Sequence, residues 1–189
     1  HRAKLFLAST PTIKGLSRIE KEFEVSDQNR YHVPCPHCGD FHHLKFSNLK
    51  YRTEVAESPT PGAAEAKVVV DAWYVCESCG AEILEGEKPS MLARGRWIAE
   101  RPRVKLVRGY HINSLYAPIG LGLGWRQIAQ KWVDVQGDTA ALKAFVNTYL
   151  GEVWREEGDG ADAASVLARG EPYTLETLRA ARKVRRITA

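Results

Sequence analysis

The spacing of apolar and polar residues changes several times along the chain, and each change predicts a new element. "AKLFLAST" at 3–10 is a continuous apolar run ending in small hydroxyl residues. That is the pattern of a buried, parallel strand whose carboxyl end meets a loop. Pro11 and Gly15 break regular structure, and "SRIEKEFEV" then sets Ile19, Phe23 and Val25 along one side of a short helix. Ser17 stands where a cap belongs, with Glu20 at the reciprocal position. From Tyr31 to Ile83 the chain alternates on a shorter period. "FHHLKFSNLKYR" reads as strand and turn, "VAESPTPGAAEA" as an exposed excursion, and "KVVVDAWYVC" as a long strand or strand pair. "KPSMLARG" predicts a short helix around Met91 and Leu92, and "KLVRGYHINSLYAPIG" a strand running into a glycine-bearing loop. In "WRQIAQKWVDVQ", Trp125, Ile128, Ala129, Trp132 and Val133 recur at three and four residues and predict an amphipathic helix. Gly137 closes it, and Asp138 caps a second helix carrying Leu142, Phe145, Val146, Tyr149 and Leu150. "REEGDGADAAS" is a linker pattern that leads to a final basic helix.

Composition narrows the class without naming a function. With 44% hydrophobic and 26% charged residues, the 189-residue chain has the make-up of a globular protein. No apolar run is long enough to span a bilayer, and no export signal pattern is present. The start, already inside a predicted strand, reads as a piece of something larger. The formal net charge of +4 permits a polyanionic partner without demanding one. Much of the excess falls in "TLETLRAARKVRRITA", where Arg182, Lys183, Arg185 and Arg186 are candidates for nucleic-acid contact. A solvated helix end would carry the same residues.

The cysteines carry the clearest chemistry. "YHVPCPHCG" and "WYVCESCG" contain all four of them as two Cys-x-x-Cys-Gly knuckles, Cys35 with Cys38 and Cys76 with Cys79. Two such pairs supply the thiolates of a tetrahedral structural zinc site. The 37 residues between the pairs suit a ribbon in which two hairpin tips meet around one ion. Two disulfides, a dithiol redox pair and four unrelated thiols are the competing readings. A disulfide scaffold belongs to an exported chain with a weak core, and a redox pair accounts for one motif but not its partner. A ribbon of this kind can bind DNA, bind protein or brace an insertion, and spacing does not choose among these.

Other polar residues are less specific. Ser9 and Thr10 end the first predicted strand, and the carboxyl edge of an open α/β sheet is where ligands bind. By themselves they are also an ordinary turn. No G-x-x-x-x-G-K-[ST] loop and no acid-ended apolar strand occur, so no complete ATP-hydrolysing centre lies within these residues. His111 and Asn113 share a strand face, either toward a site or satisfied at a sheet edge. Asn147 interrupts an apolar helix and is placed to bond across to another element.

The stretches "STPTIKGLSRIEKEFEVSDQNRYHVPCPHCG", "YVCESCG", "MLARGRWIAE", "GYHINSLYAP" and "FVNTYLGEVW" together resemble the large subunit of tailed-phage DNA-packaging terminases, in its lambda-like branch. The resemblance runs in order from about residue 5 to 155. It implies an α/β fold comprising the latter part of a P-loop ATPase domain with an inserted four-cysteine zinc ribbon, followed by helices and a linker. Residues 1–30 would be the closing strand and helix region of the ATPase core, 31–85 the ribbon, 86–157 the last part of the ATPase region, and 158–189 a linker toward a nuclease domain absent from the chain. "STPT" would be the coupling motif, with Ser9 and Thr10 acting on the γ-phosphate or its attacking water. The implied activities of the parent are ATP-driven packaging of double-stranded DNA and DNA cleavage. The implied cofactors are structural zinc, with ATP and magnesium for the parent. Its implied partners are DNA, a small terminase subunit, the portal protein and further copies of itself, in the host cytoplasm at the procapsid portal. The alternative is a zinc ribbon module without catalysis that binds nucleic acid or protein.

Overall fold

Each Cys-x-x-Cys knuckle sits at the tip of a short antiparallel hairpin, and these hairpins organise the two sheets. The computed structural model describes residues 4–56 and 66–155. Residues 1–155 form one compact unit and 156–189 a second, the latter outside the described residues together with the predicted final helix and its basic side chains. In the first hairpin β1 (Asn29–Pro34) pairs with β2 (Phe41–His43), and β3 (Leu49–Ala56) follows after a turn. In the second, β4 (Ala66–Val75) pairs with β5 (Glu82–Ile83), while β3 lies along the other edge of β4.

The chain then returns to the first sheet. After the short helix Lys88–Ala93, β6 (Arg96–Ala99) runs antiparallel to β1 with Tyr31 opposite Trp97. β7 (Tyr110–His111) pairs with β1 in parallel, setting Asn29 against Tyr110. One strand thus receives partners from residues 41, 96 and 110 onward. The helices follow their predicted stripes. One helix spans Trp125–Asp134 and buries Trp125, Ile128 and Ala129; the next, Thr139–Phe145, buries Phe145 and runs into a wide turn at Val146–Leu150. Asp138 caps that second helix through the N–H groups of Ala140 at 2.9 Å and Ala141 at 3.1 Å. Tyr74, Ile83, Met91, Leu115, Trp125, Ile128 and Phe145 make a continuous core between the ribbon and these helices. Fully burying one such side chain contributes about 1.5–3 kcal/mol.

Polar ties fix the helices against the ribbon. Glu85 accepts from the Trp125 N–H at 2.9 Å and from the buried Lys88 ammonium at 2.6 Å, which also lies 5.3 Å from the Trp125 ring. Gln130 accepts from the Val69 N–H at 2.6 Å and donates to the Lys67 carbonyl at 3.0 Å. It thereby serves the backbone of β4.

The opening run departs from expectation. Residues 4–10 form no strand, and Leu5 and Phe6 are 79% and 89% exposed. A buried parallel strand is held by neighbours, and no described strand lies beside this one. Its first backbone tie is the parallel bridge from Ile13 to Trp154. The helix Arg18–Glu24 forms where predicted, but Ser17 makes no side-chain cap; Glu20 instead reaches back to the Gly15 N–H at 2.7 Å. Val25 lies beyond its last turn, 58% exposed, and not on its apolar side. The strand expected within 105–120 shrinks to Tyr110–His111, because 101–108 is taken up by a loop.

That loop closes on one buried carboxylate. Asp27 is fully buried, and it accepts from the Asn29 amide at 2.6 Å, the Gly109 N–H at 3.0 Å and Arg108 at 2.7 Å. Its own backbone accepts from Arg101 N–H and donates to the Val107 carbonyl. A Cβ at Gly109 would stand 2.0 Å from the Ser26 hydroxyl, so the close approach requires glycine. Burial opposes ionisation of Asp27, but the hydrogen bonds from Gly109, Asn29 and Arg108 outweigh it and hold the carboxyl below its ordinary range. A depressed folded-state pKa contributes stability that is present above the unfolded value and is lost as pH falls through the folded one. Asp27→Ala is expected to lower stability by about 2–3 kcal/mol at neutral pH by leaving buried donors unpaired. In urea unfolding followed by tryptophan fluorescence, the loss should shrink as pH drops below about 4. A loss independent of pH would show that the carboxylate charge is not what matters.

Candidate metal centre

The two knuckles are built alike. In each, the first cysteine follows a strand, and its carbonyl accepts the N–H of the glycine four residues on, Gly39 to Cys35 at 2.9 Å and Gly80 to Cys76 at 3.0 Å. Each first cysteine also donates its N–H to the carbonyl of the residue just before the return strand, Asp40 or Ala81. Both glycines have positive φ, +78° and +71°, which lets the chain turn back within one residue. Cys35 and Cys76 are buried and Cys38 and Cys79 exposed.

Tertiary structure brings the two tips together. The four sulfurs all lie within 4.8 Å of one another, with Cys35 to Cys79 and Cys38 to Cys76 each at 3.9 Å. Four sulfurs about 2.3 Å from a tetrahedral ion stand about 3.8 Å apart, so the cluster has the dimensions of such a site. Burial opposes ionisation at Cys76, but N–H groups of Cys79 and Ser78 and the neighbouring Cys35 and Cys79 outweigh it and bring the thiol down to about 7. Burial pushes the Cys35 thiol up. This cluster can coordinate a metal ion, and among the described residues no other group of three or more such donors exists.

Further bonds join the tips independently of any ion. Ser78 donates to Asp40, His37 reaches the Glu82 carbonyl at 3.1 Å, and Lys45 pairs with Glu77 at 2.8 Å. His32, His42 and His43, close to the first knuckle in sequence, pack away from the sulfurs' coordination. His42 is buried and stacked on Tyr74 with ring planes 5° apart. His43 packs against His32, and burial, with Arg30 and Lys45 nearby, lowers its pKa to about 4.

The other candidate residues are dispersed. Ser9 and Thr10 are exposed beside a shallow groove of about 210 Å³, the Ser9 hydroxyl donating to the Thr10 carbonyl at 2.9 Å. Just beyond them, the Thr12 carbonyl accepts from the Asn147 amide at 2.9 Å and the Trp154 N–H at 2.8 Å. Asn147 therefore does bond across, from the helical region to "STPT". Asn113 caps a single turn at Leu115 N–H and donates to the Leu44 carbonyl, so it is a satisfied structural residue. His111 donates from Nε2 to the Gly151 carbonyl and accepts at Nδ1 from Arg30, each at 3.1 Å. Burial, with Arg30 beside it, holds its pKa below the ordinary histidine value. The Asp27 clamp passed unnoticed in sequence, where only the short polar run "SDQN" between helix and strand marks it.

Residues 1–97 match the family model described as the ATPase domain of the phage terminase large subunit gpA. The chain belongs to the gpA family of phage terminase large subunits. Residues 107–189 match the endonuclease domain of the same gpA protein, which overturns the expectation that the nuclease region is absent. The expectation failed because residues 107–155 carry no cluster of metal-ligating acids that would mark a nuclease, and they fold with the ribbon in one unit. Two large terminase subunits, of Enterobacteria phage P21 and Escherichia phage lambda, are each 32% identical over 90% of this chain. The chain spans 28% of the length of each. No solved structure gives a significant match. Among the described residues of this gpA-family chain, no helix is long and apolar enough to cross a membrane.

Four sulfur ligands and one ion per chain are expected. Protein loaded with cobalt should show intense thiolate charge-transfer absorption, and X-ray absorption on the zinc-loaded form should give four sulfurs near 2.3 Å, roughly the usual zinc–thiolate distance. Cys76→Ser should abolish stoichiometric loading; retention of one tightly held ion by that variant would remove Cys76 from the ligand set.

Proposed function

We propose that this chain is the segment of an ATP-driven DNA-packaging subunit in which the ATPase region passes directly into the nuclease region, with a zinc-held ribbon fastening the two. The observation that carries the reading is the pairing of β1, inside the ATPase match, with β7, inside the nuclease match. Cys35, Cys38, Cys76 and Cys79 hold a structural zinc ion, which when bound replaces thiol protons and locks the two hairpin tips together. All four positions are then filled by protein sulfur, leaving none for activating water.

Ser9 and Thr10 serve the parent's ATPase by sensing the γ-phosphate or its attacking water, supplied by nucleotide and magnesium held elsewhere in the parent. Their exposure beside an open groove leaves the hydroxyls accessible. The backbone bonds from Thr12 and Lys14 to Trp154, with Asn147 at Thr12, supply a direct mechanical route from this segment into residues of the nuclease match. A shift at the hydroxyls would be carried there through hydrogen bonds and not through a loose linker. Residues 1–30, 31–85, 86–157 and 158–189 serve as the end of the ATPase core, the ribbon, a bracing region and a basic lead into the rest of the nuclease. Arg182, Lys183, Arg185 and Arg186 add phosphate contacts that read no sequence. The substrate is double-stranded DNA, the partners a small terminase subunit, the portal and further copies of the chain, and the place of action the procapsid portal in the host cytoplasm.

Two measurements on the full-length protein test this reading. Thr10→Ala should reduce DNA-stimulated ATP turnover about tenfold or more while nucleotide affinity changes less than about twofold, as for a residue acting after binding. Equal turnover in mutant and parent would return "STPT" to the status of a turn. Removing the metal by chelation should impair ATP turnover and DNA cleavage together, since one sheet joins both regions; loss of neither would sink the fastening role.

A further inference from the structure

Residues 94–108 carry Arg94, Arg96, Arg101, Arg103, Lys105 and Arg108 against the single acid Glu100. That local excess is larger than the formal net charge of +4 of the whole chain. All six cations are exposed. Their placement is built by the fold. β6 pairs only with β1 among the described strands, so its outer edge is open with Arg96 and Trp97 on it. The loop 101–108 leaves and rejoins the sheet at Asp27, which binds Arg101 N–H at one end and the Val107 carbonyl, Arg108 and Gly109 N–H at the other. It projects as a pinned loop whose tip residue Leu106 is 98% exposed.

Two of the arginines are committed to this scaffold, Arg101 to the Glu24 carbonyl and Arg108 to Asp27. Arg96, Arg103 and Lys105 have no carboxylate partner among the described residues; Arg96 lies over the Phe41 ring at 4.0 Å. Trp97 and Tyr110 meet edge to face at 5.0 Å on the face of the sheet opposite the Arg96 side chain, and they take no part in the cationic surface. We infer that β6 and the loop 101–108 form a phosphate-contacting DNA surface, with Arg96, Arg103 and Lys105 as its available cations. Arginine predominates, and a guanidinium fork matches phosphate oxygens two at a time. Such contacts hold the duplex without reading its sequence, as translocation of any DNA requires. The inference rests on the reading that the parent handles DNA.

The test uses zinc-loaded full-length protein and fluorescence anisotropy with a labelled duplex of arbitrary sequence across a salt series. The triple variant R96Q/R103Q/K105Q should bind about tenfold or more weakly at low salt. Its slope of log affinity against log salt should be shallower by about 0.9 for each phosphate that is no longer neutralised. The variant R96K/R103K keeps the charge and should keep the slope. Metal content and unfolding midpoint should match the parent in both, since none of these side chains holds the Asp27 clamp. If the parent itself binds no duplex at low salt, this inference and the DNA reading both fall. If the parent binds and the triple variant superimposes on it, this surface falls while the DNA reading stands. Superimposed DNA curves with altered sedimentation of the oligomer would assign the surface to a protein partner, and a salt slope lowered equally in the charge-keeping variant would assign it to structure; either overturns the inference.

Discussion

The convergence of two hairpin tips on one point in space is the constraint on which the ribbon depends. Its sheets are small, and β2 and β5 contribute only three and two residues of pairing. Strands that short cannot hold a sheet by hydrogen bonds alone. An ion held by the four sulfurs, all within 4.8 Å of one another, would replace thiol protons and turn the cluster into a source of folding free energy. The contacts between Ser78 and Asp40 and between Lys45 and Glu77 reinforce the same junction at the surface, where exposed pairs contribute little individually.

β1 converts that local staple into a larger architecture. It begins beside the Asp27 clamp, ends next to Cys35, and along its short length binds strands that start at residues 41, 96 and 110. Long-range pairing of this kind costs loop-closure entropy, which grows only slowly with loop length. The clamp offsets part of that cost by using one carboxylate to close the loop 101–108 and to fix where β7 enters the sheet. The family boundary between ATPase and nuclease matches falls within this paired region, so the two parts share a sheet here instead of meeting across a flexible linker. Asn147 and Trp154 repeat the connection elsewhere by bonding to Thr12.

Much of this was legible locally. The Cys-x-x-Cys-Gly pairs, the 125–134 stripe and the Asp138 cap are short-range patterns whose physical cause lies within a few residues, and each forms as read. The resemblance found in "STPT", the knuckles and "GYHINSLYAP" identified the family. Misreadings fell where the decisive neighbours are distant. "AKLFLAST" has the composition of a buried strand, yet strand formation needs partners, and no described strand pairs with it. The nuclease region went unrecognised because the residues from 107 to about 154 carry no catalytic constellation of their own.

By itself the sequence determined the ligand types, the tight knuckle turns, the helix stripes and the family, because these follow from residue chemistry at fixed short spacing. Tertiary structure decided which sulfurs face each other across the two tips, that Asp27 closes the distant loop 101–108, and that the outer edge of β6 pairs with no other described strand. It also decided that His111 is locked between Arg30 and Gly151 and that Asn113 is a cap. The reason is the same in each case: a polar side chain takes its role from the partner that satisfies it, and for most of these residues that partner lies far along the chain.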